Sequence, residues 1–287
     1  MPAKRTKTTR DYPDLRIVPI GRVIPHELHD EQRAMPLVKK LRDDGILKSP
    51  ILVTTLSNAG DETEYMILDG TNRQISLELL GIGYALVQVV DYREPSVQLR
   101  SWNHVVTNVT PDELQAMIIG TRGLQPRITR LSTAVEEFET EAIQGYCVLS
   151  NNKAITLTGK HTTLAARAEY LTAIVASYIT HCTVNRVTSA DIRELKAAYP
   201  DMAGVIIYPP FRPEEILELV RNGLRVPAGI TRHLINGRAL RVNYPLDLLS
   251  SALSLEEKNR RLLKWMQGKF TRREVRFYEE PTYLFDE

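Results

Sequence analysis

Cysteine is nearly absent from this sequence, with two residues in 287, Cys147 and Cys182. They are too few and too far apart for a disulfide framework or a zinc site, and are expected to be reduced, small apolar residues. Long apolar runs are missing too. No stretch approaches the ~20 residues of a membrane span and no apolar signal region opens the chain, so the expected compartment is the cytoplasm, with no membrane partner. Nor is there an excess of one charge. The 37 Lys and Arg against 35 Asp and Glu leave +2, which makes no strong electrostatic case for nucleic-acid binding, although short basic clusters stand at both ends. The Gly-x-x-x-x-Gly-Lys phosphate loop is absent as well, and with it the usual guide to nucleotide contacts.

What is present is the composition of a globular protein, 43% hydrophobic and 25% charged, with enough chain for one large or two modest domains. Met1 to Arg10 is basic and without periodicity, so residues 1–14 are expected to be a disordered tail. Leu15 to Ile20 predicts a strand, and Leu28 to Asp44 a helix with Met35, Leu37, Val38 and Leu41 as its apolar positions. A strand from Pro50 to Thr54 is expected to join Tyr65 in a hairpin. Thr110-Pro-Asp-Glu113 has the form of a capping box, and a domain boundary is placed there, giving an α/β domain over 15–109 and a second over 110–287. In the second half, Asn151-Asn152 predicts a hairpin turn. Helices are expected over 134–143, 162–181, from Ser189, from Pro213 to Arg221 and over 255–267. Strands are expected at 204–208 and, to close the chain, at 277–284. His161 and His181 have no partner spacing and are expected to be capping or surface residues.

The most informative stretch is Tyr65-Met-Ile-Leu-Asp-Gly-Thr-Asn-Arg73. An apolar strand runs into the Asp69-Gly70 turn, a helix with Ile75, Leu77, Leu79 and Leu80 follows, and Ala85 to Val90 forms the next strand. A helix N-terminus at such a turn offers unpaired N–H groups to a phosphate or carboxylate. Gly70 permits close approach, Arg73 can fork to an oxyanion and Asp69 adds a carboxylate. An ordinary turn capped by Asp69 or Thr71 is the alternative.

Leu68-Asp-Gly-Thr-Asn-Arg73, followed by a helix, a Gly and a Val-rich strand, resembles the nucleotide-binding loop of the ParB/sulfiredoxin-like fold. The Asp-Gly-x-x-Arg form resembles that of the free L-serine kinases; a ParB-type CTP-binding protein would show Gly-x-Arg-Arg, and a sulfiredoxin Gly-Gly-Cys-His-Arg. The family's usual His is here Asn72. The resemblance implies nucleotide contacts at Gly70, Thr71, Asn72 and Arg73. It implies a general base at Glu27, in Pro25-His26-Glu27, since a carboxylate can accept the serine proton late in phosphoryl transfer. It implies a cleft-lining, substrate-binding role for Trp102. Pro227-Ala-Gly-Ile-Thr-Arg-His233 matches a phosphate-holding Pro-x-Lys-Thr-Thr-Arg-His pattern, with Thr231, Arg232 and His233 kept and Gly229 and Ile230 in place of Lys and Thr. Asp69 could bind Mg²⁺ on the donor phosphates, hold the serine hydroxyl, or cap the helix. The implied partners are L-serine and ATP or ADP, with the active site in a cleft between the two domains. A ParB-like DNA-binding or regulatory protein is the alternative, and a hydrolase or nuclease on the same fold a third reading.

Overall fold

The computed structural model describes residues 12–28, 31–57, 62–159 and 163–278; the side chains of residues 31–33 are not described. The basic tail, Asp30, His161 and most of the expected closing strand lie outside these residues, and Phe277 and Tyr278 belong to no strand. In chain order the first elements are β1 (Leu15–Pro19), β2 (Val23–Pro25), α1 (Glu31–Asp44), β3 (Ile46–Leu47), β4 (Ile51–Ser57), β5 (Glu64–Asp69), α2 (Thr71–Leu79) and β6 (Tyr84–Val89). There follow β7 (Val97–Ser101), β8 (Asn103–Thr107), α3 (Pro111–Ile119), β9 (Arg127–Thr129), α4 (Leu131–Glu139), β10 (Tyr146–Leu149), β11 (Ala154–Thr156) and α5 (Leu164–Tyr178). The last are β12 (Thr183–Val187), α6 (Ile192–Ala198), β13 (Gly204–Ile207), α7 (Pro213–Arg221), β14 (Thr231–Ile235), β15 (Tyr244–Pro245), α8 (Leu246–Ser250) and α9 (Leu255–Thr271).

The chain divides into two α/β units that are discontinuous in sequence. The first comprises Met1–Ile24, Glu31–Ser96 and Ile235–Glu287; the second comprises Pro25–Asp30 and Val97–Leu234. The first unit holds a five-stranded mixed sheet in the order β1-β6-β4-β5-β2. The hairpin between β4 and β5 forms as expected, and β4 lies parallel to β6. Ile17, Ile51, Val53, Ile67, Leu86 and Val87 build its core, joined by Tyr244, Leu249 and Leu262 from the end of the chain. Two polar contacts fix that return. Asn259 of α9 accepts from the Ile17 N–H at 2.9 Å and donates to the Ile17 carbonyl at 2.8 Å, and the buried Lys258 ammonium donates to the Leu248, Leu249 and Ser251 carbonyls that end α8. These satisfy the last carbonyls of a short helix, which have no partner within it.

Two apolar positions expected to face the core do not. Met35 is 64% exposed and Leu79 57% exposed. The inner face of α2 carries Gln74 and Ser76 beside Leu77, and each finds a main-chain carbonyl to donate to. Gln74 Nε2 donates to the Val23 carbonyl at 2.8 Å, and Ser76 Oγ donates to the Asn72 carbonyl at 2.7 Å. Burying a polar side chain is tolerable when it meets such a partner.

The second unit is built on a six-stranded sheet, β12-β8-β13-β10-β11-β9, whose recorded pairings are all antiparallel. Its Asn151-Asn152 hairpin and the Thr110–Glu113 capping box form as the sequence predicts, with Asn152 at φ +68°. Val105, Val148, Val205 and Ile207 pack with Ala134 of α4 and Leu195 of α6. Side chains alternate along a strand, so His104, next to Val105, points to the opposite face of β8. There it meets Tyr178 of α5. Cys147 is fully buried and Cys182 half-buried, both free. Among the described residues, no helix is long and apolar enough to cross a membrane.

Candidate active site

In the first unit the chain leaves β5 at Asp69 and enters α2 through Gly70, which adopts φ +115° and is the N-cap without any side-chain cap. The capping alternative for Asp69 and Thr71 therefore does not hold. The Asp69 carboxylate turns instead to two guanidiniums. Arg73 Nη2 donates to Oδ2 at 3.3 Å, and Arg238 Nη2 donates to the same oxygen. Burial pushes this carboxyl up, but the two guanidiniums outweigh it and hold Asp69 below the usual carboxylate range. Both arginines use Oδ2, and among the described residues Oδ1 is left for another partner.

Arg238 stands 169 residues from Asp69, a separation that no local sequence pattern bridges. Gln88 explains its position. This buried residue of β6 donates to the Gly237 carbonyl at 2.9 Å and accepts from the Ala239 N–H at 2.8 Å, clamping the turn on both sides of Arg238.

The turn has the features of an anion cradle. A Cβ placed on Gly70 would lie 2.7 Å from Arg73 Nη2 and 2.9 Å from its Nε, so the guanidinium occupies the room that glycine leaves. Among the described residues, Arg73 Nε is buried without a hydrogen-bond partner. Together with the first-turn N–H groups at Thr71 and Asn72, it fits a nucleotide phosphate. A divalent cation fits only as a passenger. Among the described residues no group of three or more His, Cys, Asp or Glu could form a cage, whereas Mg²⁺ on a nucleotide commonly takes one or two carboxylates and otherwise phosphates and water.

In the second unit Glu27 is held by the turn that leads into β14. Its backbone forms a parallel bridge with Val226, the Leu28 N–H donating to the Val226 carbonyl at 2.9 Å and the Val226 N–H to the His26 carbonyl at 3.0 Å. Its carboxylate accepts from the Gly229 N–H at 3.1 Å through Oε2, and through Oε1 from the Thr231 N–H at 3.2 Å and from the Thr231 hydroxyl. With its hydroxyl proton committed to Glu27, Thr231 accepts from His26 Nε2 at 2.7 Å, which sets the His26 tautomer. His233 packs edge-on against His26, ring centroids 5.0 Å apart. Arg232 lays its guanidinium over Trp102, 4.5 Å from the ring centroid, a cation–π contact. The structure thus groups Glu27, Trp102, Thr231, Arg232 and His233 within one unit, and Asp69, Gly70, Thr71, Asn72 and Arg73 within the other.

A carboxylate offers about four acceptor positions. Three of those on Glu27 are filled by the turn, which fixes the group while leaving room for one further proton donor.

His104 has no motif or spacing that marks it in the sequence. Its ring is buried, with Nδ1 2.6 Å from the Tyr178 hydroxyl and Nε2 2.9 Å from the Gly229 carbonyl. The carbonyl can only accept, so Nε2–H donates to it and Nδ1 accepts from Tyr178, which is itself bonded to Tyr208. Burial drives His104 down to about 4 against the raising effect of the Gly229 carbonyl, so it is neutral at pH 7. Its folded value lies below the unfolded one. The stabilising contribution is complete above about pH 6.5 and is lost progressively as pH falls toward 4, by up to about 3 kcal/mol. Melting curves between pH 7 and 4.5 are expected to show a steep loss for the natural sequence and a shallower slope for His104→Phe. Equal slopes would contradict the buried neutral histidine.

No family model matches the chain. Along its length it is similar to a Staphylococcus aureus protein named ATP-dependent L-serine kinase SbnI, at 27% identity over 285 residues, 95% of this chain and 97% of that protein. The chain is a relative of the free L-serine kinases. A Desulfurococcus mucosus ATP-dependent L-serine kinase is 21% identical over 249 residues, 85% of this chain and 94% of its own. Among solved structures, C-terminally truncated SbnI from Staphylococcus aureus superposes with a TM-score of 0.68 at 26% identity, over 89% of this chain and 97% of that one. A free serine kinase in complex with AMP gives the same TM-score at 19% identity, over 85% and 97%, and so speaks for the fold alone.

Proposed function

We propose that this protein is an ATP-dependent kinase of free L-serine, releasing O-phospho-L-serine and ADP. The observation that carries the reading is its likeness, from end to end, to a protein named for that reaction. The geometry supports roles for its own residues. We read the first unit as the ParB/sulfiredoxin-like domain, with the donor phosphates against the Gly70 turn and the Arg73 and Arg238 guanidiniums on their oxygens. Glu27, fixed by Gly229 and Thr231, takes the serine hydroxyl proton. The serine oxygen forms its bond to the γ-phosphorus, the bond from that phosphorus to the bridging oxygen breaks, and ADP leaves. Phosphoryl transfer draws most of its acceleration from positioning and from cations around the transferring group. Arg232 and His233 support the phosphate as cationic and hydrogen-bonding groups, and Trp102 lines the serine site. Mg²⁺, when bound, would neutralise phosphate charge, with Asp69 Oδ1 as one ligand.

A donor screen tests this reading. With Mg²⁺ and L-serine, ATP is expected to yield O-phosphoserine by mass spectrometry, while ADP and CTP yield little. Comparable yield from ADP would reverse the donor assignment, and none from any nucleotide would remove the kinase reading.

A further inference from the structure

We propose that His104, on β8, is a positioning residue for the general base: through the Gly229 carbonyl it fixes the turn that aims the Glu27 carboxylate, a role that rests on the kinase reading above. Gly229 is held at both of its polar groups. Its N–H donates to Glu27 Oε2 at 3.1 Å, and its carbonyl accepts from His104 Nε2 at 2.9 Å. The glycine adopts φ +81°, and a residue free to take either hand has the direction of its N–H set by what grips it. The next carbonyl of the turn is gripped as well. The Trp102 N–H donates to the Ile230 carbonyl at 3.0 Å. The peptide group that carries this carbonyl also carries the Thr231 N–H, which donates to Glu27 Oε1 at 3.2 Å. Trp102 and His104, at the start of β8, thus hold the carbonyls of residues 229 and 230, while the N–H groups of residues 229 and 231 hold the base.

Two features set His104 apart from a histidine that only fills a core. Its bonds run in one direction: Nδ1 accepts from Tyr178, so the Tyr178 oxygen accepts from the Tyr208 hydroxyl, and the row of donors passes from Tyr208 through Tyr178 and His104 to Gly229. All three side chains are buried, and in such a row each bond strengthens the next and restrains the groups it joins. The row also ends at the residue whose N–H meets Oε2 of the base. A phenylalanine ring fills a similar volume, so what the imidazole adds is a donor directed at this turn. Glu27, Trp102, His104, Tyr178, Tyr208 and the Gly229 turn all belong to the second unit.

Steady-state kinetics of phosphoserine formation test the assignment, with the natural protein compared with His104→Phe, His104→Gln, Glu27→Gln and the variant carrying both His104→Phe and Glu27→Gln. His104→Phe is expected to lower kcat per folded molecule by roughly 10- to 100-fold, the scale of a misplaced catalytic group, with KM for ATP within about twofold. In the Glu27→Gln background the same change should lower kcat by less than about twofold, because the group it positions no longer takes a proton. His104→Gln can still donate toward the Gly229 carbonyl and is expected to recover most of kcat. Tyr178→Phe leaves the imidazole in place and removes the hydroxyl that fixes its tautomer. It should give a smaller loss with the same dependence on Glu27, and it carries the test if His104→Phe does not fold. Equal losses in both backgrounds overturn the proposal and make His104 structural. Unchanged kcat in His104→Phe overturns it too, as does a loss confined to KM for ATP. An active natural protein with an indifferent His104 refutes this inference and leaves the kinase reading standing, whereas a natural protein that forms no phosphoserine removes that reading and this inference with it.

Discussion

Glu27→Gln is expected to lower kcat by roughly 10²–10⁴ while ATP still binds. The amide preserves the shape of the side chain but cannot take the serine proton. It also has a single acceptor oxygen where the carboxylate has two, and both are used. One oxygen accepts from the Thr231 N–H and hydroxyl and the other from the Gly229 N–H. An amide nitrogen facing the Gly229 N–H leaves that donor without a partner, so a drop of a few degrees in melting temperature should accompany the loss of turnover. Glu27→Asp separates the two effects: it keeps the charge, withdraws it by one methylene, and should retain more stability than activity. Near-normal turnover in Glu27→Gln would reduce Glu27 to a brace for the Gly229 turn and place the base elsewhere.

Asp69→Asn should remove most activity while the protein melts within a few degrees of the natural one. Asn still offers an acceptor oxygen to Arg73 or Arg238, which limits the structural cost. What it loses is the charge that draws both guanidiniums to one point and the anionic oxygen left over for a cation. The apparent Mg²⁺ requirement is therefore expected to rise. Arg238→Gln offers a partial phenocopy, since it removes one of the two partners without touching the carboxylate. Lost activity with an unchanged Mg²⁺ requirement would assign Asp69 to the serine hydroxyl instead. Unfolding with full activity per folded molecule would make the turn structural.

The sequence exposed the local parts of this molecule and concealed the long-range ones. Capping and turn chemistry are written within a few residues, so the Thr110–Glu113 box, the hairpin at Asn152 and the strand-turn-helix at Gly70 were all readable. Periodicity misleads where polar side chains find main-chain acceptors: Gln74 and Ser76 take the inner face of α2, and Leu79 is left outside. For the same reason β8 went unread. Asn103, His104 and Thr107 look like a polar linker, yet all are buried; Asn103 donates to the Ser189 carbonyl and His104 is bonded at both ring nitrogens. The return of residues 235–278 to the first unit has no local signal, because it depends on Asn259 pairing with Ile17 across 242 positions. The candidate site divides in the same way. Family resemblance pointed to Glu27 and to Thr231, while the bond between them, and the approach of Arg238 to Asp69 and of His104 to Gly229, exist only in the folded chain.

The most direct test of the central claim follows isotope-labelled L-serine with ATP and Mg²⁺ in the presence of the purified protein, quantifying serine, O-phosphoserine, ATP and ADP by mass spectrometry over time. The expected result is one O-phosphoserine and one ADP for each ATP consumed, with no ATP consumed when serine is withheld. ATP hydrolysis that proceeds equally well without serine, or serine that remains unlabelled by phosphate while ATP disappears, would contradict it.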